Sequence, residues 1–347
     1  MSEQFEDIPT PSSLDGLAYL YGHPLLNSLS PLLHKTIYDA LGLNWEQFPL
    51  SKSDTSSLTY PPPYTLSPPI TDFLDHVRSN DRFVGSSVTM PYKVAILPFL
   101  DELTNEAKGV GACNTIFLKE GEQGIKTLVG TNTDCIGVRE ALLRNTPEGV
   151  TGNPYAGKPA LIIGGGGTAR AAIYTFRTWL NVSKIYIVNR DEGEVEAIVK
   201  EDDERRSEST TEYNQAPIFH VKTPAEVQDL EPPVAVMSGV PNYPPKTPEE
   251  INARETIKAF FKASTASKTR SIVLEMCYHP HPWTEIAQLA SDHGCHVVLG
   301  SEAMIWQGIE QARLWTGKDI VGTPGVVEKV EKVIQKAIRD REVMQKE

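Results

Sequence analysis

Apolar runs and amphipathic stretches alternate along this chain from residue 17 onward. Leu17 to Tyr21 is an apolar run of strand length that ends at Gly22-His23-Pro24. Behind it, Ser30-Pro31 reads as a serine N-cap with proline at the first helical position. Leu33, Ile37, Tyr38 and Leu41 follow at helical spacing, and Gly42 suits the helix stop. Trp45 to Leu50 and Phe83 to Met90 read as two more strands, separated by a proline-rich loop over 58–70. Thr104 predicts the N-cap of a short helix over 104–112. Ile116 to Leu118 and Leu128 to Val129 predict a hairpin, and Asp134 opens a helix through Leu143.

From residue 158 the pattern changes to strands alternating with helices, the mark of an open parallel sheet. Strands are expected at 160–163, 184–188, 234–237, 272–276 and 296–299. Helices are expected at 168–180, 301–315 and 326–344, the last with Val326, Val330, Val333 or Ile334, and Ile338 on one stripe. The charged stretch over 201–215 has no apolar period and reads as an exposed insertion. The fold class expected is therefore α/β with two domains. An N-terminal α/β domain covers residues 14–134 and is completed by 300–347. A Rossmann-type, doubly wound parallel sheet covers 135–299.

The 347 residues suffice for two such domains. A formal net charge of −12 repels phosphodiester backbones, so no nucleic-acid partner is expected. No apolar run approaches the roughly 20 residues that span a bilayer, so no membrane partner is expected either. The polar, acidic start of the chain carries no leader pattern, which points to the cytoplasm. Cys113, Cys135, Cys277 and Cys295 have neither metal-type nor disulfide-framework spacing, and no histidine cluster is spaced for zinc. No metal is assigned.

The glycine-rich run Gly164-Gly165-Gly166-Gly167-Thr168-Ala169 follows a strand and opens a helix. It fits G-x-G-x-x-G/A with alanine last. Small residues allow the tight turn, and the helix N-terminus offers free N–H groups to a pyrophosphate. Gly164, Gly166, Gly167, Thr168 and Ala169 are therefore candidate dinucleotide-binding residues. The next strand ends at Asn189-Arg190-Asp191, where such folds meet the adenosine ribose. Arg190 suits a 2′-phosphate; Asp191 and Glu194 repel one and accept bonds from free hydroxyls.

Three polar clusters precede that turn: Ser87-Val88-Thr89-Met90-Pro91-Tyr92-Lys93, Gly111-Ala112-Cys113-Asn114-Thr115 and Gly130-Thr131-Asn132-Thr133-Asp134. Each offers a group for a small hydroxylated ligand, and a Lys and an Asp in one cleft make a proton-transfer pair. Taken with Gly22 to Pro31, Glu275 to Pro280 and Met304 to Gly308, these segments resemble the shikimate dehydrogenase family, most closely its fungal quinate/shikimate dehydrogenase branch. The resemblance runs from about Leu17 to Gly317.

The resemblance implies an N-terminal substrate-binding domain and an NAD(P)-dependent enzyme. It implies Ser28, Ser30 and Tyr278 as carboxylate ligands. Thr89, Asn114 and Gln307 would orient ring hydroxyls, with Lys93 and Asp134 as the catalytic pair. Whether Lys93 alone or a Lys93/Asp134 relay moves the proton stays open. Three positions depart from the family pattern: Asn27 for histidine, Ser87 for asparagine and Cys135 for glycine. Asp191 and Glu194 replace a threonine and an arginine of the NADP-specific members, which favours NAD, with NADP as the alternative. The activity implied is reversible oxidation of a ring hydroxyl of quinate or shikimate, quinate favoured. A non-catalytic sensor of quinate metabolism is the competing expectation. Monomer and homodimer both stay open.

Overall fold

The computed structural model describes residues 4–25, 28–54, 57, 62–121, 126–146, 152–208, 215–267, 270–277 and 281–344. Candidate residues Asn27 and Tyr278 lie outside them. The chain divides into two compact units: 1–133 with 307–340, and 134–306 with 341–347.

The first unit holds β1 (Gly16–Tyr21), α1 (Ser30–Ala40), β2 (Trp45–Pro49), α2 (Ile70–Ser79), β3 (Phe83–Val88), α3 (Tyr92–Ala95), β4 (Glu102–Leu103), α4 (Asn105–Val110), β5 (Thr115–Glu120) and β6 (Lys126–Thr131). Its sheet runs β2-β1-β3-β5-β6-β4. The β1–β2 and β1–β3 pairs are parallel, while β5 is antiparallel to β3 and β6. All six residues of β1 are buried, which is why its apolar run shows no alternation.

Packing in this unit is aromatic. Tyr21 stacks on Phe73 of α2 at 4.2 Å and on Tyr92 at 4.4 Å. Burial raises the Tyr21 pKa well above its ordinary value, and its hydroxyl donates to the Pro68 carbonyl at 2.7 Å. Thr104 caps α4 as expected, accepting from the Ala107 N–H at 3.4 Å. Ser30 does not cap α1; Leu29 occupies that position without a side-chain bond.

The second unit holds α5 (Asp134–Arg144), β7 (Pro159–Ile163), α6 (Gly167–Thr178), β8 (Lys184–Val188), α7 (Glu192–Glu208), β9 (Ile218–His220), β10 (Ala235–Ser238), α8 (Pro248–Ala266), β11 (Ile272–Glu275), α9 (Glu285–Asp292) and β12 (His296–Leu299). The sheet order is β12-β11-β10-β7-β8-β9, and every pair is parallel. Counted from β7 this is the 3-2-1-4-5-6 order of the dinucleotide-binding fold. Strands buried on both faces explain the continuous apolar run Ala160–Ile163. Two helices close the chain, α10 (Gly300–Thr316) and α11 (Val326–Met344). The boundary between the units falls within α10, before Gln307.

One expectation is corrected. Residues 201–208 are the end of α7, not part of a featureless insertion. Ion pairs hold that end, so an apolar stripe is not needed. Arg177 of α6 and Asp202 of α7 are ion-paired and almost fully buried. The same guanidinium donates to the Ala216 carbonyl at 3.0 and 2.8 Å. Arg170, about two turns before Arg177 on α6, pairs with Glu201.

Removing one partner of a buried ion pair strands the other charge. Asp202→Ala is therefore expected to cost about 3 kcal/mol, read as a lower urea midpoint for the second unit. An unchanged midpoint would contradict this account.

Candidate active site

The first unit gathers its candidate residues at one end of the sheet. Asn114 immediately precedes β5, and its carbonyl accepts from the N–H of Val88, the last residue of β3, at 2.7 Å. Its own N–H donates to the Thr131 carbonyl, the end of β6, at 3.1 Å. The loop from β3 to Lys93 is fixed by three further backbone bonds. Thr89 N–H donates to Tyr21 at 2.8 Å, His23 N–H to Met90 at 2.9 Å, and Cys113 N–H to Lys93 at 2.7 Å. Lys93 follows Tyr92, whose ring is stacked on Tyr21, so the lysine starts from a rigid base. Lys93 and Thr89 are both half-buried.

A buried chain of polar side chains backs this end of the sheet. The Ser30 hydroxyl donates to Gln47 Oε1 at 2.8 Å, and Gln47 Nε2 donates to Ser87 Oγ at 2.9 Å. Ser87 donates onward to Gln311 Oε1 at 2.9 Å. Gln311 Nε2 donates to Thr115 Oγ1 at 2.8 Å. Gln311 Oε1 also meets His34 Nε2 at 3.0 Å. Burial lowers the His34 pKa to about 4, against a smaller upward pull from Gln311, so the ring is neutral and donates through Nε2.

The amide of Asn114 is held on both sides. Its Oδ1 accepts from Thr133 N–H at 2.6 Å and Thr115 Oγ1 at 2.8 Å. Its Nδ2 donates to Thr133 Oγ1 at 3.0 Å and Gln307 Oε1 at 3.1 Å. Asn114 and Gln307, 193 positions apart in the chain, therefore touch directly.

In the second unit a cleft of about 380 Å³ opens at the C-terminal ends of β7, β8 and β10, where the strand order reverses. Gly165, Gly166, Asn189, Arg190, Glu194 and Glu250 line it. Gly164 has φ of +112° and its N–H donates to the Val188 carbonyl at 2.9 Å, so the turn needs glycine there. Gly166 precedes α6, and a Cβ at Gly166 or Gly167 would meet nothing, which leaves the helix N-terminus open to a ligand. Ala169 is buried against the sheet. Gly164, Gly167, Thr168 and Ala169 shape the turn without lining the cleft.

Residues 20–116 match the model of the shikimate dehydrogenase substrate-binding domain. The quinate dehydrogenase of Emericella nidulans is 58% identical over 336 residues, spanning 97% of this chain and 98% of that protein. The chain belongs to the shikimate and quinate dehydrogenase family. It is an oxidoreductase. A shikimate 5-dehydrogenase from Mycobacterium fortuitum superposes with a TM-score of 0.65 at 26% identity, covering 94% of this chain and 99% of that one. The quinate dehydrogenase of Corynebacterium glutamicum, solved in complex with NAD, gives 0.68 at 22% identity, covering 92% and 99%. At that identity the likeness is one of fold.

In this member of the dehydrogenase family, four residues singled out in the sequence, Ser30, Ser87, Cys135 and Asp191, each have a defined hydrogen-bonding role. Ser30 gives its hydroxyl to Gln47, while Ser28 Oγ accepts from the Ser30 N–H at 3.3 Å. Ser87, in the place of the family's asparagine, is a buried link between Gln47 and Gln311. Cys135 is fully buried in α5, and its carbonyl accepts from Thr175 of α6 at 2.9 Å. Asp191 sits at the N-cap of α7, where its carboxylate accepts from the Glu194 N–H at 3.1 Å. Glu194 is the carboxylate that reaches the glycine turn: a Cβ at Gly165 would lie 2.8 Å from its Oε2. Asp134, next in the chain after Thr133, opens α5 and is half-buried.

Sequence reasoning missed Gln47, His34, Gln311 and Glu275. Gln311 had one signal, its position one helical turn beyond Gln307. Glu275 ends β11 fully buried, accepting from Cys277 N–H at 3.1 Å and Thr284 Oγ1 at 2.8 Å. It thereby braces the segment that leads to Tyr278. Burial raises its pKa from 4.5 to about 7, and the bonds from Cys277 and Thr284 oppose the rise. Burial likewise raises the Cys277 thiol to about 12, which leaves it unreactive near neutral pH.

The folded state thus keeps the Glu275 proton that the unfolded chain loses near 4.5. Stability falls as pH rises from there to about 7, by on the order of 3 kcal/mol in full. Glu275→Gln should flatten this dependence, so its melting temperature should drop less than the wild type's between about pH 5 and 8. Parallel curves would refute the assignment.

Proposed function

We propose that this dehydrogenase reversibly oxidises a ring hydroxyl of quinate to the corresponding ketone with NAD, shikimate being the secondary substrate. The observation that carries the substrate is the near full-length likeness to a protein named quinate dehydrogenase. The observation that carries the cofactor is Glu194 at the glycine turn, beside a helix N-terminus with nothing over Gly166 or Gly167. A carboxylate there accepts hydrogen bonds from ribose hydroxyls and repels a 2′-phosphate. These residues fit a dinucleotide: Gly165 and Gly166 with the α6 N–H groups would hold the pyrophosphate, and Asn189 and Glu194 the adenosine ribose. NAD, when bound, supplies the acceptor for the hydride.

The chain's own residues do the rest. Lys93 takes the proton of the reacting hydroxyl, either alone or in relay with Asp134, which also orients a neighbouring hydroxyl. Ser28, Ser30 and Tyr278 hold the substrate carboxylate, Ser30 exchanging its bond to Gln47 for one to the carboxylate. Thr89, Asn114 and Gln307 position the remaining hydroxyls. Because Asn114 Nδ2 already donates to Thr133 and Gln307, a ring hydroxyl would exchange for the Gln307 contact. The buried chain behind Asn114 keeps its amide from turning, so the exchange costs little reorganisation.

Formation of NADH followed by absorbance, with quinate and then shikimate, tests the reading. Lys93→Ala should lower kcat by about 10²- to 10⁴-fold with NAD affinity unchanged. Near-normal turnover in that variant would sink the role of Lys93. A higher kcat/KM with NADP than with NAD would overturn the cofactor assignment.

A further inference from the structure

Two arginines line the dinucleotide-type cleft, and both are already paired. Arg254 Nη1 lies 2.6 Å from Glu285 Oε2. Arg190, two residues beyond β8, is ion-paired through Nη1 with Oε1 of Glu250. Arg190 and Glu250 both line the cleft, although one follows β8 and the other lies in the first turn of α8, 60 positions apart in the chain.

Glu250 is fixed where it stands. It is the third residue of α8 and half of a capping box. Its Oε2 accepts from the N–H groups of Lys246 at 2.7 Å and Thr247 at 3.1 Å, while Thr247 Oγ1 accepts from the Glu250 N–H at 3.2 Å. Those backbone bonds, then Arg190, pull its carboxyl down to about 2, so it is ionised at any working pH. Arg190 is the more exposed partner, with 63% of its side chain exposed. The helix start therefore holds an anion in place, and the arginine comes to it.

An arginine after the second strand of this fold is the side chain suited to a 2′-phosphate. A phosphate dianion needs a charge-assisted partner with free N–H groups. We propose that Glu250 is a cofactor-specificity residue: it occupies Arg190 and so withdraws from the cleft the cation that a 2′-phosphate would require. This rests on the reading that the cleft takes NAD. Glu194 and Glu250 then work by separate means. Glu194 places negative charge beside the ribose, whereas Glu250 neutralises a positive charge that would otherwise offset it.

Glutamine at position 250 separates the two jobs of this side chain. A glutamine carbonyl still serves the capping box, but it no longer holds a guanidinium by charge. In calorimetric titrations of the full chain, Glu250→Gln should tighten binding of NADP+ and of 2′,5′-ADP by about five- to twentyfold. Binding of NAD+ should change by less than about twofold in the same variant. Adding Arg190→Ala to Glu250→Gln should erase the gain. Arg190→Ala alone should leave the ratio of NADP+ to NAD+ affinity within about twofold of wild type, since the arginine is already withdrawn. Equal shifts for both cofactors in Glu250→Gln, or a large loss of NADP+ binding in Arg190→Ala alone, would overturn the proposal. Wild-type preference for NADP+ would instead refute the NAD reading, and the ratio between variant and wild type would still decide the role of Glu250.

Discussion

The candidate substrate site depends on one amide, that of Gln311. Its oxygen accepts from Ser87 and from neutral His34, and its nitrogen donates to Thr115. These partners come from β3, α1 and β5, while Gln311 itself arrives from α10, near the far end of the chain. In a buried, low-dielectric setting each unpaired polar group costs about 1–3 kcal/mol, so the partners hold one another to a single arrangement. The chain extends through Gln47 to Ser30 at one end. At the other end Gln307, one turn before Gln311, meets Asn114. Polar groups that look scattered in sequence form one connected structure behind the end of the sheet where the candidate ligand residues gather.

Rigidity on the lysine side has a different origin. Phe73, Tyr21 and Tyr92 form a continuous aromatic stack, and backbone bonds tie the loop over 88–93 to Tyr21, His23, Cys113 and Asn114. Apolar packing thus fixes where Lys93 begins, and hydrogen bonding fixes where Asn114 points. A site assembled this way places reacting groups on elements that are already ordered, which is the condition for low reorganisation during proton transfer.

Sequence reading succeeded where a local rule and the tertiary structure agree. Ala160–Ile163 is an unbroken apolar run because β7 is buried on both faces, and Gly164 must be glycine because of its positive φ. Thr104 caps its helix because its hydroxyl can accept from the Ala107 N–H and still bond the Thr131 hydroxyl, so the distant partner does not displace the local one. Reading failed where a distant partner overrides the local preference. Ser30 has every local reason to cap α1, yet the helix starts one residue earlier than that reading, with Leu29 at the N-cap and Ser30 inside the first turn donating its hydroxyl to Gln47. The tail of α7 lacks an apolar stripe, yet Arg177 and Arg170 of α6 anchor it through Asp202 and Glu201. Gln47 and Gln311 were invisible for the same reason: a glutamine in a strand or a helix carries no mark of the partner it will meet.

Asp191 and Glu194 show how far such competition reaches. The first acid after β8 is used up by the backbone, and the second, at the third position of the helix it caps, is the one turned toward the glycine turn. The two positions therefore answer to different constraints. Serine, threonine or asparagine would serve at 191 as well as aspartate, because an N-cap asks only for a short acceptor. Position 194 has no such freedom, since its carboxylate lies against Gly165 and bonds Asn189. Relatives sorted by the residue immediately after the strand would be grouped by how they start a helix; sorted by the residue three places on, they would be grouped by what lines the cleft.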